Sequence, residues 1–194
     1  LMMYTERGWQ YFGGGSDLKD SRSPALFEHN GNKIAFIGCN DPGPDYAGST
    51  ETRGGAARCE DYSWMFETIR QLKQDGYQVV ANVQYHENYS YLAGEYLKRA
   101  LDPLAEAGAV IVQGSQAHTP KEMAFHQDAF IHYGLGNLFF DQMHVTIDGK
   151  LMEATRQEFI DRYTFHDNQL ISIELLTAML EDYARPRPMT PEER

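Results

Sequence analysis

Polar side chains follow three predicted strands at the point where each strand ends. They are Gln84, His86, Glu87 and Asn88 in the first cluster, Ser115, Gln116 and His118 in the second, and Asn137 with Asp141 in the third. Parallel strands bring their carboxyl ends to one edge of a sheet, where ligand crevices form. Imidazole, carboxamide and carboxylate groups gathered there could hold a divalent ion, or orient a polar substrate and stabilise developing negative charge.

From this clustering we predict that His118 and Asn137 are catalytic, with His118 also the candidate metal ligand. We predict that the remaining polar residues bind substrate: Gln84, His86, Ser115 and Gln116. Structural alternatives stay open, because His118 could bond a backbone carbonyl, His86 could face solvent, and Asn137 could be a left-handed turn residue. Four further histidines stand in turns or strands without convergent partners, and we expect no role for them: His126, His132, His144 and His166.

Strands and helices alternate through the middle of the chain. Strands are predicted at residues 33–38, 78–85 and 110–112, with helices at 61–74 and 94–107 between them, which implies parallel pairing through right-handed crossovers. Two antiparallel pairs follow, formed by residues 123–125 with 130–133 and by 159–165 with 170–176. A mixed sheet, or two stacked sheets with flanking helices, accommodates both halves.

The flanking segments carry local signals. Asn30-Gly31-Asn32 predicts a hairpin between strands 25–28 and 33–38. A short strand is predicted at 9–12, and the glycines at 13–15 favour a tight turn over a phosphate loop, since no Lys-Ser/Thr follows them. Residues 184–194 are expected to be an extended surface tail leading to a helix outside the chain, and with a helix end at residues 1–8 they suggest a piece of a longer protein.

Charge narrows the range of partners. The chain of 194 residues has 17 basic and 28 acidic residues, for a formal net charge of −11, and no basic stripe. We therefore expect no nucleic-acid partner. A local basic pocket could still hold a small-molecule substrate or an anionic polymer. Since no apolar run approaches the ~20 residues of a membrane helix, membrane association is expected only through segments outside this chain.

The two cysteines leave two interpretations open. Cys39 ends a predicted strand and Cys59 precedes a helix, with a Gly/Pro/Thr-rich loop between them. A disulfide would restrain that loop and would indicate an oxidising compartment. The alternative is two unrelated buried thiols.

Three stretches resemble the CapA family of bacterial capsule and poly-γ-glutamate synthesis proteins, which are related in fold to calcineurin-like metallophosphoesterases. They are GNKIAFIG at 31–38, AGAVIVQG at 107–114 and HYGLGNLFFD at 132–141. The resemblance runs from about residue 9 to residue 142 and weakens beyond. It implies the α/β class, as a mixed-sheet α/β/β/α sandwich of metallophosphoesterase-like type. The chain would be a partial domain over residues 1–183, without the family's N-terminal half and its ligand motifs.

The resemblance also implies a function. It suggests an extracytoplasmic protein, secreted or attached to the cell envelope, that acts in capsule or poly-γ-glutamate synthesis or handling, with a metal-dependent hydrolase-type site. The family pattern changes where the chemistry would lie. Where the family usually shows His-Trp-Gly-x-Glu-Tyr, this chain has residues 84–89 as QYHENY, and its usual His-His-Pro-His is replaced by residues 115–118, SQAH.

Carboxamides in place of imidazoles make a two-metal centre doubtful, because Gln is a poor ligand for zinc and similar ions. The second hypothesis is therefore a non-catalytic extracellular module that binds or anchors polymer through a degraded metal site. A third, a cytosolic phosphoesterase, requires free thiols at Cys39 and Cys59. A half-sandwich would leave apolar sheet surface uncovered, so we also expect self-association as a homo-oligomer.

Overall fold

The computed structural model describes residues 1–142 and 144–194, and it has the α/β architecture predicted from the sequence. The helices are α1 (Met2–Glu6), α2 (Leu18–Ser21), α3 (Ser63–Gln74) and α4 (Glu95–Ala107), with 3-10 turns at Asp45–Ala47 and Glu153–Arg156. The strands up to the middle of the chain are β1 (Gly14–Gly15), β2 (Ala25–His29), β3 (Asn32–Asn40), β4 (Gly55–Ala56), β5 (Gln78–Gln84) and β6 (Ile111–Ser115). The later strands are β7 (Met123–His126), β8 (Ala129–His132), β9 (Thr146–Ile147), β10 (Lys150–Leu151), β11 (Gln157–His166), β12 (Gln169–Glu181) and β13 (Arg185–Pro188).

A mixed six-stranded sheet forms the centre of the protein, in the order β2-β3-β5-β6-β8-β7. The four inner strands are parallel, and the two edge strands β2 and β7 are antiparallel to their neighbours. The register aligns Asn40 with Gln84 and Gln84 with Ser115, so the inner strands end together. The predicted parallel pairing and the common edge of strand ends are both confirmed.

The helices α3 and α4 pack on one face of this sheet. Each places apolar residues at the i, i+4, i+7 spacing of a single helix face. The buried residues are Met65, Ile69 and Leu72 from α3, and Leu97, Leu101 and Leu104 from α4. They form one core with strand residues that include Ile37, Val79, Val83 and Ile131. The two helices therefore cover one face of the sheet and leave the edge where the strands end uncovered.

A three-stranded antiparallel sheet, β11-β12-β13, meets the other face through a buried polar network. His132 Nδ1 lies 2.8 Å from Asp161 Oδ2, and both side chains are almost completely buried. The Tyr163 hydroxyl donates to the same carboxylate oxygen at 2.6 Å, and Gln113 Nε2 donates to that hydroxyl at 2.9 Å. Helices, first sheet and second sheet are therefore three layers of the predicted sandwich. The described residues form no helical layer on the outer face of the second sheet.

Asn168 fastens the β11–β12 hairpin to the first sheet at its far end. Its backbone N–H donates to Asn32 Oδ1, its Oδ1 accepts from the Lys33 N–H, and its Nδ2 donates to the Gly76 carbonyl. The predicted Asn30-Gly31 turn lies beside it, with positive φ at both residues, as the favoured two-residue hairpin requires.

Two local predictions were wrong. Residues 9–12 do not form a strand. Instead, the side chain of Gln10 makes the two hydrogen bonds that a neighbouring strand would make with Leu26. Its Oε1 accepts from the Leu26 N–H at 2.8 Å, and its Nε2 donates to the Leu26 carbonyl at 2.5 Å. Residues 185–188, expected within an unpaired surface tail, pair with β12 as the strand β13. Tail residue Met189 is buried. Among the described residues, no helix has the length and apolar character to span a bilayer.

Cys39 and Cys59 form a disulfide, with 5.0 Å between their Cα atoms, so the first interpretation of the cysteines is confirmed. The bridge joins the end of β3 to the start of the segment before α3. Backbone hydrogen bonds from Asn40 to Ala57 and from Cys59 to Asn40 run beside it. The disulfide and these bonds together close the loop between residues 40 and 58 against the sheet edge.

Replacing both cysteines by alanine is expected to lower the free energy of unfolding by about 3 kcal/mol, because the unfolded chain regains the freedom of a loop of about 20 residues. Urea denaturation of the wild type and the double variant measures this difference. Dithiothreitol should destabilise the wild type and leave the double variant unchanged. Equal sensitivity of the two proteins to the reductant would contradict the assignment.

Candidate functional site

His118 lies in a ring of polar side chains at the common edge of strand ends, joined by hydrogen bonds and by one ion-pair contact. Its Nδ1 is 2.8 Å from Asn137 Oδ1, and since that oxygen can only accept, Nδ1 carries the proton of the neutral ring. The other ring nitrogen, Nε2, is therefore left to accept a proton. It lies 3.5 Å from Glu87 Oε1, and this carboxylate would stabilise the charged imidazolium.

Asn137 is itself fixed by the backbone and by the next member of the ring. Its Nδ2 donates to the Thr155 carbonyl and to Gln142 Oε1, both at 2.9 Å, and its side chain is buried. Gln142 Nε2 donates to the Tyr89 hydroxyl at 2.9 Å, and that hydroxyl donates to Glu87 Oε1, which brings the chain of hydrogen bonds back to within 3.5 Å of His118 Nε2. The hydrogen bond to Glu87 is the main reason that the pKa of Tyr89 is raised above its ordinary value.

Aromatic rings hold the imidazole of His118 between them. Tyr89 stacks on it with ring centroids 5.7 Å apart and an interplanar angle of 21°, and the Phe140 ring lies 5.1 Å away. The position of the imidazole is thus determined by packing as well as by hydrogen bonds, as a group that transfers protons requires.

A second polar group runs across the ends of the three neighbouring strands β3, β5 and β6. Asn40 Nδ2 donates to Gln84 Oε1 at 3.2 Å, and Gln84 Nε2 donates to Gln116 Oε1 at 2.6 Å. The backbone of Gln116 is left-handed, with φ of 68°, where the chain turns away from β6. Gln84 is exposed, whereas Asn40 and Gln116 are half-buried, and the accessible carboxamide atoms could bond amide or carboxylate groups of a polymer laid along the edge.

The other two predicted substrate-binding residues, His86 and Ser115, line a cavity of about 230 Å³ together with Glu87 and Lys121. His86 Nε2 lies 3.3 Å from Asp41 Oδ2, and Ser115 Oγ donates to the Val83 carbonyl at 3.4 Å. The Lys121 ammonium is buried, and it donates to Asn88 Oδ1 and to the Ser90 carbonyl. Burial lowers the pKa of Lys121. Its hydrogen bonds hold the 85–92 segment that carries Glu87 and Tyr89.

The structure brings the predicted residues together in two groups. His118 meets Asn137, and Gln84 meets Gln116, but within the described part of the chain no hydrogen bond joins the first pair to the second. The cavity lined by Glu87, His86 and Ser115 contains none of the four residues of these pairs in its wall, but it contains sequence neighbours of three of them, Tyr85, Ser115 and Ala117. The convergence expected around His118 is therefore present in part.

Sequence reasoning did not select the residues that complete the ring: Glu87, Tyr89, Gln142 and Thr155. Glu87 was visible as an acid within the first cluster, but its approach to His118 depends on the path of the 85–92 segment. Gln142 and Thr155 lie outside the three predicted polar clusters, between the strands predicted at 130–133 and 159–165, and were not selected from the sequence.

The donors present fit a hydrogen-bonding site better than a metal centre. Among the described residues, no group of three or more His, Cys, Asp or Glu side chains is placed to hold a metal ion. His118 Nδ1 is engaged by Asn137, and the neighbouring strand ends offer Gln carboxamides, which are poor ligands for zinc. The role of His118 as a metal ligand stays a prediction, and no step below depends on a metal.

The layered sheets and the polar edge define an α/β protein of metallophosphoesterase-like type. A family model described as bacterial capsule synthesis protein, PGA_cap, matches residues 1–142, and the chain belongs to this family. The chain is also similar to the capsule biosynthesis protein CapA of Bacillus anthracis, with 22% identity over 194 residues. That similarity covers 98% of this chain and 45% of the relative, so the chain spans less than half of the relative's length.

Replacing Asn137 by alanine should lower the free energy of unfolding by about 1–3 kcal/mol, because the Thr155 carbonyl and the His118 N–H lose a buried partner. Gln84→Ala is the matched control, since its exposed carboxamide should change stability by less than about 0.5 kcal/mol. Chemical denaturation of both variants measures the difference. An equal loss of stability in the two variants would show that the side chain of Asn137 does not hold the ring together.

Proposed function

We propose that this chain supplies the catalytic edge of a capsule-synthesis protein that cleaves or trims poly-γ-glutamate. The observation that carries the proposal is the hydrogen bond from His118 to Asn137, which leaves Nε2 as a proton acceptor 3.5 Å from the Glu87 carboxylate. In hydrolysis, Nε2 would take a proton from the attacking water and return it to the leaving amine. Glu87 would stabilise the intermediate imidazolium.

The carboxamides at the neighbouring strand ends would position the polymer. A γ-linked glutamate chain presents amide N–H and C=O groups and free carboxylates, which match the donors and acceptors of Asn40, Gln84 and Gln116. Lys121, His86 and Ser115 in the adjacent cavity would face one polymer unit. The net charge of −11 disfavours long-range attraction of this anion, so recognition would rest on these local contacts.

His118→Ala in the full-length protein should reduce γ-glutamyl hydrolysis by about a hundredfold or more, since a general acid and base is lost. Phosphoesterase activity is assayed in parallel. His126→Ala is the control, because this partly exposed histidine pairs with Glu106 at the other end of β7, away from the ring. Unchanged hydrolysis in His118→Ala would remove this residue from the mechanism.

A specific observation also favours a second candidate, a binding or anchoring module without catalysis. The family's usual imidazoles at two strand ends are replaced by carboxamides, which bond one another here. This candidate predicts polymer binding that resists chelators and is weakened by Gln84→Ala with Gln116→Ala, while hydrolysis is absent in every variant. A stoichiometric transition metal in the intact protein would count against it.

An extracytoplasmic location is part of the proposal, and the Cys39–Cys59 disulfide supports it, because such bonds persist in oxidising compartments. Free thiols in protein isolated under alkylating conditions would count against this location. They would favour the cytosolic phosphoesterase considered from the sequence.

We also propose that the chain self-associates through the outer face of the second sheet. Ile160 and Leu176 are cross-strand partners there and are 41% and 36% exposed, on the face opposite Asp161 and Tyr163. They border a shallow apolar cavity of about 360 Å³ with Leu175, Pro186 and Pro188. This is the apolar surface that the sequence led us to expect, and a second copy would remove it from water.

The single change Leu176→Lys should shift sedimentation from dimer or higher species to monomer, since a buried lysine without a partner opposes association. Ser172→Lys is the control, because this polar residue lies farther along the same strand. A wild-type protein that is monomeric at high concentration would contradict the proposal.

A further inference from the structure

A cavity of about 410 Å³ lies at the start of β11, separate from the cavity at the strand ends. Its wall is mainly apolar and includes Leu92, Pro120, Phe159 and Met189. A volume in this range is ordinary for a site that binds a small molecule. Lys121 belongs to the walls of both cavities and separates them.

Glu158 is the unusual member of this wall. Its side chain is 2% exposed, and neither carboxylate oxygen has a hydrogen-bond partner among the described residues. A buried carboxylate without a partner is costly, and burial raises the pKa of Glu158 to about 7. Such a cost is characteristic of groups that are kept for binding or catalysis rather than for stability.

Most other polar groups of the wall are already engaged by protein partners. The Tyr91 hydroxyl donates to Gln157 Oε1, and the Lys121 ammonium donates to Asn88 and Ser90. The remaining acids are paired as well: Glu122 with Lys98 and the Ala93 N–H, and Glu193 with Arg187. Arg194 also lines the wall, and it forms no ion pair with Glu158 in the described structure. Glu158 is therefore the acceptor left for a ligand.

An apolar cavity with one free carboxylate selects for a particular ligand chemistry. An apolar body would fill the space, and a protonated amine would pair with the carboxylate through a charge-assisted hydrogen bond. The ionised carboxylate of Glu158 would repel an acidic group placed beside it. We propose that this cavity is a binding site for a small apolar amine, distinct from the polymer site around His118.

The proposal is tested on the full chain with 2-phenylethylamine and its neutral analogue 2-phenylethanol, by titration calorimetry and by chemical-shift mapping. The amine should bind at least about tenfold more tightly than the alcohol, because one charge-assisted hydrogen bond is gained. Glu158→Gln should remove that advantage and leave binding of the alcohol unchanged. Equal binding of the two probes by the wild type would overturn the proposal.

Two control variants exclude trivial explanations. Glu174→Gln removes the same charge from the exposed Arg162 pair on the second sheet, and it should change nothing; weakened amine binding would indicate general attraction to an acidic protein. Leu92→Trp places a bulky ring at the exposed rim of the cavity and should weaken both probes. Undiminished binding in Leu92→Trp would locate the amine elsewhere and would overturn the proposal even if Glu158→Gln misfolded.

The pH dependence gives an independent readout. The ionised form of Glu158 is the minority at about pH 6 and the majority at about pH 8, so amine affinity should rise by about tenfold between them. Lys121, Glu122, Glu193 and Arg194 also face this cavity. The same rise in Glu158→Gln would assign the dependence to them and would overturn the role of Glu158.

Discussion

The buried network of His132, Asp161, Tyr163 and Gln113 determines how the two sheets lie on each other. Burying polar groups is costly unless they are bonded, so the hydrogen bonds among these four side chains favour the position in which the second sheet docks. That position brings the start of β11 against Gly136, where a bridge joins Gly136 to Glu158. Gly136 has a φ of 91°, and a Cβ there would meet the Gln157 carbonyl oxygen at 2.6 Å, so only glycine allows the approach.

The site depends on this docking because its ring is built from both sheets. The first sheet supplies His118 and Asn137 from segments that follow its strands, whereas the Thr155 carbonyl that orients Asn137 comes from the segment leading into β11. Glu87 and Tyr89 lie on the segment that follows β5, which hydrogen bonds from Lys121 hold in place. The arrangement explains how one imidazole can retain a defined tautomer where the family's other usual imidazoles are missing.

The sequence predicted those features that depend on neighbouring residues or on regular spacing. Helix faces, the Asn30-Gly31 turn and the common edge of parallel strands follow from local rules and appear as expected. Contacts between distant segments were not predictable in this way. His132 was set aside as a strand residue without partners, yet its partner Asp161 lies on a hairpin 29 positions away.

The wrong local predictions have physical reasons too. Pro186 and Pro188 suggested a free tail, but β13 is an edge strand, where a residue without an N–H can still be accommodated. Residues 9–12 have the apolar character of a strand, but a side-chain carboxamide takes the place of backbone pairing. In the family's usual pattern a glutamate stands at the position of Asn88, whereas the acid that meets His118 here is Glu87, one position earlier. Whether the acid at position 87 or the residue at position 88 approaches His118 depends on the path of the 85–92 segment, which the sequence does not reveal.

The hydrogen bonds between Gln10 and Leu26 have a consequence for aggregation through the edge of the large sheet. β2 is an outer strand of the large sheet, and its unpaired backbone groups would otherwise be a template for a strand from another molecule. By occupying both the N–H and the carbonyl of Leu26, one glutamine interrupts that template near the start of the strand. Uncontrolled growth into fibrils is thereby opposed at this edge of the large sheet.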